Sequence, residues 1–129
     1  MPACDKHRVR WFARRRANSA YDWAEPQHFE RWSNAYLSGG ASELDPRVSP
    51  AHAELSGLPP LLLVYGGAEM LLDQLVAFAR RARAAGVQLT EHVEEERVHL
   101  WMANAPFLPD CQRAIDVMGA YVKNGTAGA

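Results

Sequence analysis

Residues 59–67 read PPLLLVYGG, and this stretch decides the fold. Two prolines open it, two glycines close it, and five apolar residues run between them. A short apolar run bounded by turn residues is typical of a strand buried on both faces, as in a parallel sheet, because a helix of such residues would be longer. The pattern therefore predicts a buried strand over residues 61–65.

The residues after this strand predict a helix and then a second strand. Apolar side chains recur at helical spacing over residues 71–85, arginines lie near the end of that segment, and Gly86 stops it. Over residues 87–93 apolar and polar side chains alternate, so we expect Val93 on a buried face and His92 toward water or a missing neighbour. A strand–helix–strand unit with short turns implies a right-handed parallel crossover.

Two further helices are predicted on either side of this unit. Pro26 suits a first turn, aromatic residues follow it at helical spacing, and Gly39-Gly40 ends the helix. Residues 41–60 contain too many prolines and glycines for a regular element, so they predict an irregular connection. The last helix is expected over residues 109–123. Its predicted buried side chains are Ala114, Ile115, Met118, Tyr121 and Val122.

Two strands do not make a stable parallel sheet, because such sheets need several strands with helices on both faces. The predicted unit is therefore one edge of a larger α/β sheet whose other strands are missing. We expect such a chain to be marginally stable or to associate with itself, since it leaves a strand edge and an apolar face uncovered.

Composition excludes several classes of protein. The 129 residues allow one domain, and 14 basic against 15 acidic residues give a net charge of −1, which is unlike a protein that binds nucleic acid by bulk charge. The apolar runs are too short to cross a membrane. Cys4 and Cys111 lie far apart and form no metal or redox motif, and the N-terminus has no apolar signal segment. The sequence thus favours a cytoplasmic protein with no membrane partner.

The charges are distributed unevenly along the chain. Residues 1–16 contain six lysines and arginines but one acid, whereas acids outnumber bases in the remainder. This asymmetry predicts a basic, disordered N-terminal arm, although contact of the arm with RNA or anionic lipid remains an alternative.

Two polar residues follow the predicted strands where a site would be expected. Glu69 comes four residues after Tyr65, and His99 comes six residues after Val93. Because ligand and catalytic groups gather beyond the carboxyl ends of parallel strands, we expect these two side chains to meet. A carboxylate bound to one imidazole nitrogen fixes the tautomer and leaves the other nitrogen to act as a general base.

Four short segments carry a resemblance to a known family. Residues 45–50 (DPRVSP), 55–61 (LSGLPPL), 67–73 (GAEMLLD) and 98–101 (VHLW) resemble, in this order, the C-terminal part of the hormone-sensitive-lipase-like α/β-hydrolases. The similarity covers roughly residues 17–123, including the YDW and AYL triplets before the first of these segments.

The resemblance implies an α/β fold and a function. It implies the C-terminal portion of an α/β-hydrolase fold and hydrolysis of carboxylic esters through a Ser–acid–His triad, with no cofactor and no metal. Glu69 would be the catalytic acid and His99 the catalytic base, with Asp73 as the alternative acid. The substrate would be a small ester.

The sequence departs from the family pattern in two places. Glu96-Arg97 stand where the family usually has a Gly-Met pair before the histidine, which predicts a different path for this loop. No Gly-x-Ser-x-Gly nucleophile turn and no His-Gly-Gly-Gly-type oxyanion segment occurs, and residues 40–44 (GASEL) are the nearest approach. We therefore expect a segment of a hydrolase that needs an upstream half and is inactive alone.

These inferences divide the chain and leave one alternative function. We expect a basic arm over residues 1–16, a partial α/β-hydrolase domain over residues 17–124 and a tail over residues 125–129. The alternative is a non-enzymatic interaction module, which pairs with a partner or forms a homo-oligomer through its incomplete sheet. No nucleic-acid partner is expected.

Overall fold

A computed structural model describes residues 20, 22 and 26–126, so the predicted basic arm lies outside the described residues. The elements in chain order are helix α1 (Pro26–Tyr36), strand β1 (Leu61–Gly66), helix α2 (Leu72–Ala84), strand β2 (Leu89–Glu94) and helix α3 (Pro109–Thr126). Short 3-10 turns lie at Leu37–Gly39, Pro50–His52 and Trp101–Asn104. The predicted element order is confirmed. Within the described part, no helix has the length and apolar character that a bilayer-spanning segment requires.

The two strands pair in parallel, as predicted from the strand–helix–strand unit. The register sets Leu61 opposite Leu89 and Gly66 opposite Glu94, so both strands end at the same rim of the sheet. The second strand begins two residues later than expected, because Gly86 turns the chain with φ of 80° and Val87 donates its N–H to the Ala82 carbonyl before pairing begins.

Helices cover both faces of the sheet, as in α/β folds. On one face α2 packs through Ala82 and Phe78 against Leu61 and Leu89. On the other face α3 contributes Cys111 and Ala114 to a buried cluster with Trp101, against which Val64 packs. Alternation along β1 produces this division, because neighbouring side chains of a strand point to opposite faces.

A polar contact holds α2 to the sheet. The Tyr65 hydroxyl donates a 2.7 Å hydrogen bond to Oε1 of Glu91, whose other oxygen contacts the Arg83 guanidinium. Burial and the hydrogen bond to Glu91 raise the pKa of Tyr65 to about 12. Burial alone would raise the pKa of Glu91, but Tyr65 and Arg83 outweigh it and hold that pKa below its usual value. The pair therefore consists of a neutral phenol and an ionised carboxylate near neutral pH.

Several predicted core positions prove to be exposed. Val93 is exposed, while the His92 side chain is only about a quarter exposed, at 26%, because the register pairs His92 with Val64 on the α3 side of the sheet. The expectation for these two residues was therefore wrong. Val76, Ile115 and Val122 also face outward, although each falls on a helical apolar pattern. The helical patterns predicted wider buried faces than the structure has, because a sheet of only two strands covers less of each helix.

The loop after β2 lies directly against the glycines that end β1. An added Cβ at Gly66 would stand 2.0 Å from the Arg97 carbonyl oxygen, and one at Gly67 would stand 2.5 Å from the Glu95 carbonyl oxygen. The Gly67 N–H donates to the Glu94 carbonyl at 2.9 Å. These glycines are thus needed for close backbone approach, besides marking the end of the strand.

We predict that Gly66→Ala destabilises the chain by about 2 kcal/mol or more, because backbone rather than a flexible side chain blocks the new methyl group. The measurement is urea-induced unfolding followed by circular dichroism. Gly119→Ala is the matched control: it lies within α3 with no atom inside 4 Å of the new Cβ, so a small gain of about 0.5–1 kcal/mol is expected. Equal effects at the two glycines would contradict the close approach.

Candidate active site

Glu69 lies in the turn between β1 and α2 and is almost completely buried, with 2% of its surface exposed. Its Oε2 accepts a 3.1 Å hydrogen bond from the N–H of Gly66, the last residue of β1. Burial raises the pKa of Glu69 above its usual value, although the Gly66 amide and the His99 imidazole act in the opposite direction. The side chain is therefore an acid held in one orientation out of solvent.

His99 lies in the loop after β2 and meets Glu69 across the rim of the sheet. Its Nδ1 stands 3.5 Å from Oε1 of Glu69. The histidine side chain is 26% exposed, against 2% for the glutamate side chain. The structure thus brings together the two residues that the sequence singled out, with the acid inside and the imidazole at the surface.

The loop after β2 reaches His99 without the glycine that the family usually has before this histidine. Among the described residues other than glycine, Leu100 alone has a positive φ, of 55°. Glu96 and Arg97 therefore adopt ordinary backbone conformations, and the irregular position follows His99 instead of preceding it. A leucine in the left-handed region is strained, and such strain persists where surrounding contacts fix the backbone.

Asp73, the alternative acid, lies in the first turn of α2. A carboxylate there suits the positive end of the helix dipole. Glu69 makes an ion-pair contact to His99, with 3.5 Å between Oε1 and Nδ1. The geometry therefore favours Glu69 over Asp73.

Asp22 is a nearby carboxylate that sequence reasoning did not single out for the site. Its Oδ2 accepts a 3.2 Å hydrogen bond from the Met70 N–H, next to Glu69 in the chain. Its charge adds to the rise in the Glu69 pKa. The sequence signal was the YDW triplet, which carried a family resemblance but no indication that its aspartate reaches the turn after β1.

Two of the other histidines in the described chain lie on elements other than the strands and the loop of this pair. His28 stacks on Trp32 at a ring separation of 5.8 Å on α1, and His52 is exposed on its 3-10 turn. In the described part of the chain, no group of three or more His, Cys, Asp or Glu residues is arranged to hold a metal ion. The geometry here suits proton transfer by an acid–imidazole pair.

The pKa shifts at this rim predict opposite pH effects for two carboxylates. Burial raises the pKa of Glu69, so its contribution to stability is full below the ordinary value near 4.5 and is lost as pH rises through the raised pKa. The Arg113 guanidinium, followed by Arg97, holds the pKa of Asp110 below its usual value, so its contribution is present above about pH 4 and is lost on acidification.

We therefore expect the unfolding free energy of the wild type, relative to Glu69→Gln, to fall as pH rises from about 4 to 7. Relative to Asp110→Asn, it should rise as pH is raised from about 2 to about 4, because the lowered pKa of Asp110 lies below its ordinary value. Urea unfolding at several pH values measures both differences. Slopes of the same sign would contradict the assignment of a buried acid at position 69.

Comparison with known proteins gives one consistent family. A family model described as alpha/beta hydrolase fold matches residues 1–103. The similarity therefore includes residues 1–16, so the expectation that it begins near residue 17 was wrong. An acetyl-hydrolase of Streptomyces hygroscopicus is 40% identical over 96 residues, which are 74% of this chain and 32% of that protein.

Solved structures agree with this. The crystal structure of EstE5 soaked in ethyl alcohol superposes with a TM-score of 0.82 and 32% identity, over 88% of this chain and 38% of that one. An esterase from the bacterial hormone-sensitive lipase family superposes with a TM-score of 0.80 and 35% identity, over 87% and 38%. The match thus covers 32% to 38% of the length of these relatives.

Proposed function

The chain belongs to the α/β-hydrolase family, on its hormone-sensitive-lipase-like branch, and we propose that it carries the acid and the base of a carboxylic ester hydrolase. The observation that carries this proposal is the 3.5 Å contact between His99 Nδ1 and Glu69 Oε1 at the rim where both strands end. Relatives named acetyl-hydrolase and esterase support the ester as the substrate class.

In the proposed reaction His99 acts as the general base. Glu69 accepts a hydrogen bond from Nδ1–H of His99 and so fixes the neutral tautomer in which Nε2 carries no proton. Nε2 then takes the proton of a serine hydroxyl as the serine oxygen attacks the ester carbonyl. The imidazolium then returns this proton to the departing alcohol, and a water molecule repeats the cycle to release the acid. A contact of 3.5 Å suits this role, since catalytic hydrogen bonds are often long before substrate binds.

The nucleophile in this proposal comes from outside the 129 residues. No Gly-x-Ser-x-Gly turn occurs in the sequence, and the oxyanion segment is likewise missing from it. Without these parts an acid–imidazole pair has nothing to activate, so the chain by itself is proposed to be inactive.

A hybrid enzyme tests the proposal. We would replace the matching segment of the Streptomyces acetyl-hydrolase with this chain and measure turnover of para-nitrophenyl acetate. We expect the hybrid to be active and His99→Ala to lower kcat by about 10³-fold or more, because the general base is lost. The matched control is His52→Ala, which removes an exposed imidazole and should leave kcat within about twofold of the parent hybrid, since surface substitutions away from the site have small effects.

Two outcomes would overturn the proposal. One is a hybrid that folds and turns over the ester equally well with and without His99. The other is turnover by the chain alone that disappears in His99→Ala, because the nucleophile would then have to lie within these residues.

We also propose self-association, because in the described chain β1 and β2 pair with each other and with no further strand. Open strand edges are ready templates for pairing with another chain. We expect the apparent mass in gel filtration to rise as protein concentration is raised about a hundredfold, since association follows mass action. A compact monomer at every concentration would contradict this.

A further inference from the structure

The loop that carries His99 is fastened to the first turn of α3 on both sides of the histidine. Before His99, the Arg97 guanidinium contacts Oδ2 of Asp110. After His99, the Trp101 carbonyl accepts a 3.0 Å hydrogen bond from the Cys111 thiol. Asp110 and Cys111 are adjacent in the chain, so one turn of helix holds both ends of the segment in which His99 lies.

The backbone of Arg97 joins the same loop to the turn of Glu69. The Ala68 N–H donates to the Arg97 carbonyl at 3.0 Å, and the Arg97 N–H donates to the Glu94 carbonyl at 3.1 Å. Arg97 therefore connects three parts of the site: the end of β2, the turn that contains Glu69, and α3. The family pattern usually has methionine at this position, which could not form the ionic contact with Asp110.

The Asp110 carboxylate is well placed to bind the Arg97 guanidinium. Its Oδ1 accepts a 2.6 Å hydrogen bond from Arg113, one turn later in the helix, while Oδ2 faces Arg97. It lies in the first turn of α3, where a carboxylate complements the helix dipole. Arg113 thus contacts the other oxygen of the same carboxylate, and Arg113→Met, which leaves the Oδ2 contact with Arg97 in place, offers a natural control.

We propose that Arg97 is a positioning residue, which keeps His99 against Glu69 by tying the histidine loop to Asp110. The proposal rests on the proposed function of His99 as base. The strained backbone of Leu100, next to His99, supports it, because a left-handed leucine persists where contacts on either side over-determine the loop.

The contact between Arg97 and Asp110 should affect the position of the His99 ring more than the global stability of the chain. The side chains of Arg97 and Asp110 are 40% and 33% exposed, and ion pairs with this exposure contribute little to the free energy of folding. A displacement of the imidazole by about 1 Å, in contrast, can cost as much as 10²-fold in rate. Loss of the tie should therefore lower kcat with little change in KM or melting temperature.

The first test uses the chain itself and needs no activity. Hydrogen exchange at the Ala68 amide, measured by NMR, reports whether the Arg97 carbonyl stays in place. In Arg97→Met and Asp110→Asn we expect exchange to become about threefold faster or more, whereas Arg97→Lys should restore the wild-type rate. Arg113→Met should leave the rate unchanged. Equal rates in the wild type and Arg97→Met would overturn the proposal.

The second test uses the hybrid enzyme. We expect Arg97→Met to lower kcat about 10-fold with KM within about twofold, and Arg97→Lys to recover most of the loss. An unchanged kcat in Arg97→Met, or a loss that Arg113→Met reproduces in full, would overturn the positioning role. A hybrid that is inactive with every wild-type residue present would contradict the proposed function, while hydrogen exchange would still decide whether Arg97 fixes the loop.

Discussion

The structure depends on the close approach of the loop after β2 to the glycines that end β1. The carbonyl oxygens of Glu95 and Arg97 occupy the space that side chains would fill at Gly67 and Gly66. This contact brings the loop of His99 over the turn of Glu69, and it aligns the Ala68 and Gly67 amides with carbonyl partners in the opposite segment. The contact between Glu69 and His99 therefore follows from the close packing of two backbone segments, the end of β1 and the loop after β2.

Parallel pairing supplies the other half of this arrangement. Because Gly66 pairs with Glu94, both strands end at one level and both following loops emerge at the same rim. Helices α2 and α3 then cover opposite faces, which leaves the rim as the place where polar side chains can collect. A two-stranded unit is thus enough to orient the pair, even though the match covers only 32% to 38% of the length of these relatives.

Burial differs between the two members of the pair in the way that acid–base chemistry requires. Glu69 is enclosed and bound by the Gly66 amide, whereas His99 keeps part of its ring at the surface. An acid held inside and an imidazole reaching outward form a directed pair, in which the inner group orients and the outer group exchanges protons. The Asp22 carboxylate and the Arg97 carbonyl accept hydrogen bonds from the two amides that flank Glu69, those of Met70 and Ala68, and extend this arrangement beyond the two central residues.

The sequence by itself determined the order of the elements, the position of the strand over residues 61–65 and the presence of an acid and a histidine just beyond two strands. These features are local: apolar periodicity, bounding prolines and glycines, and short offsets along the chain record them directly. The strand is half-buried over Leu61–Val64 and fully buried only at its end, so the predicted burial on both faces was too extensive. Tertiary structure alone decided that His92 turns inward while Val93 and Ile115 turn outward, because burial depends on which neighbours cover a face. It also decided that Asp110 meets Arg97, since an ion pair between a loop and a helix has no periodicity that a sequence could display.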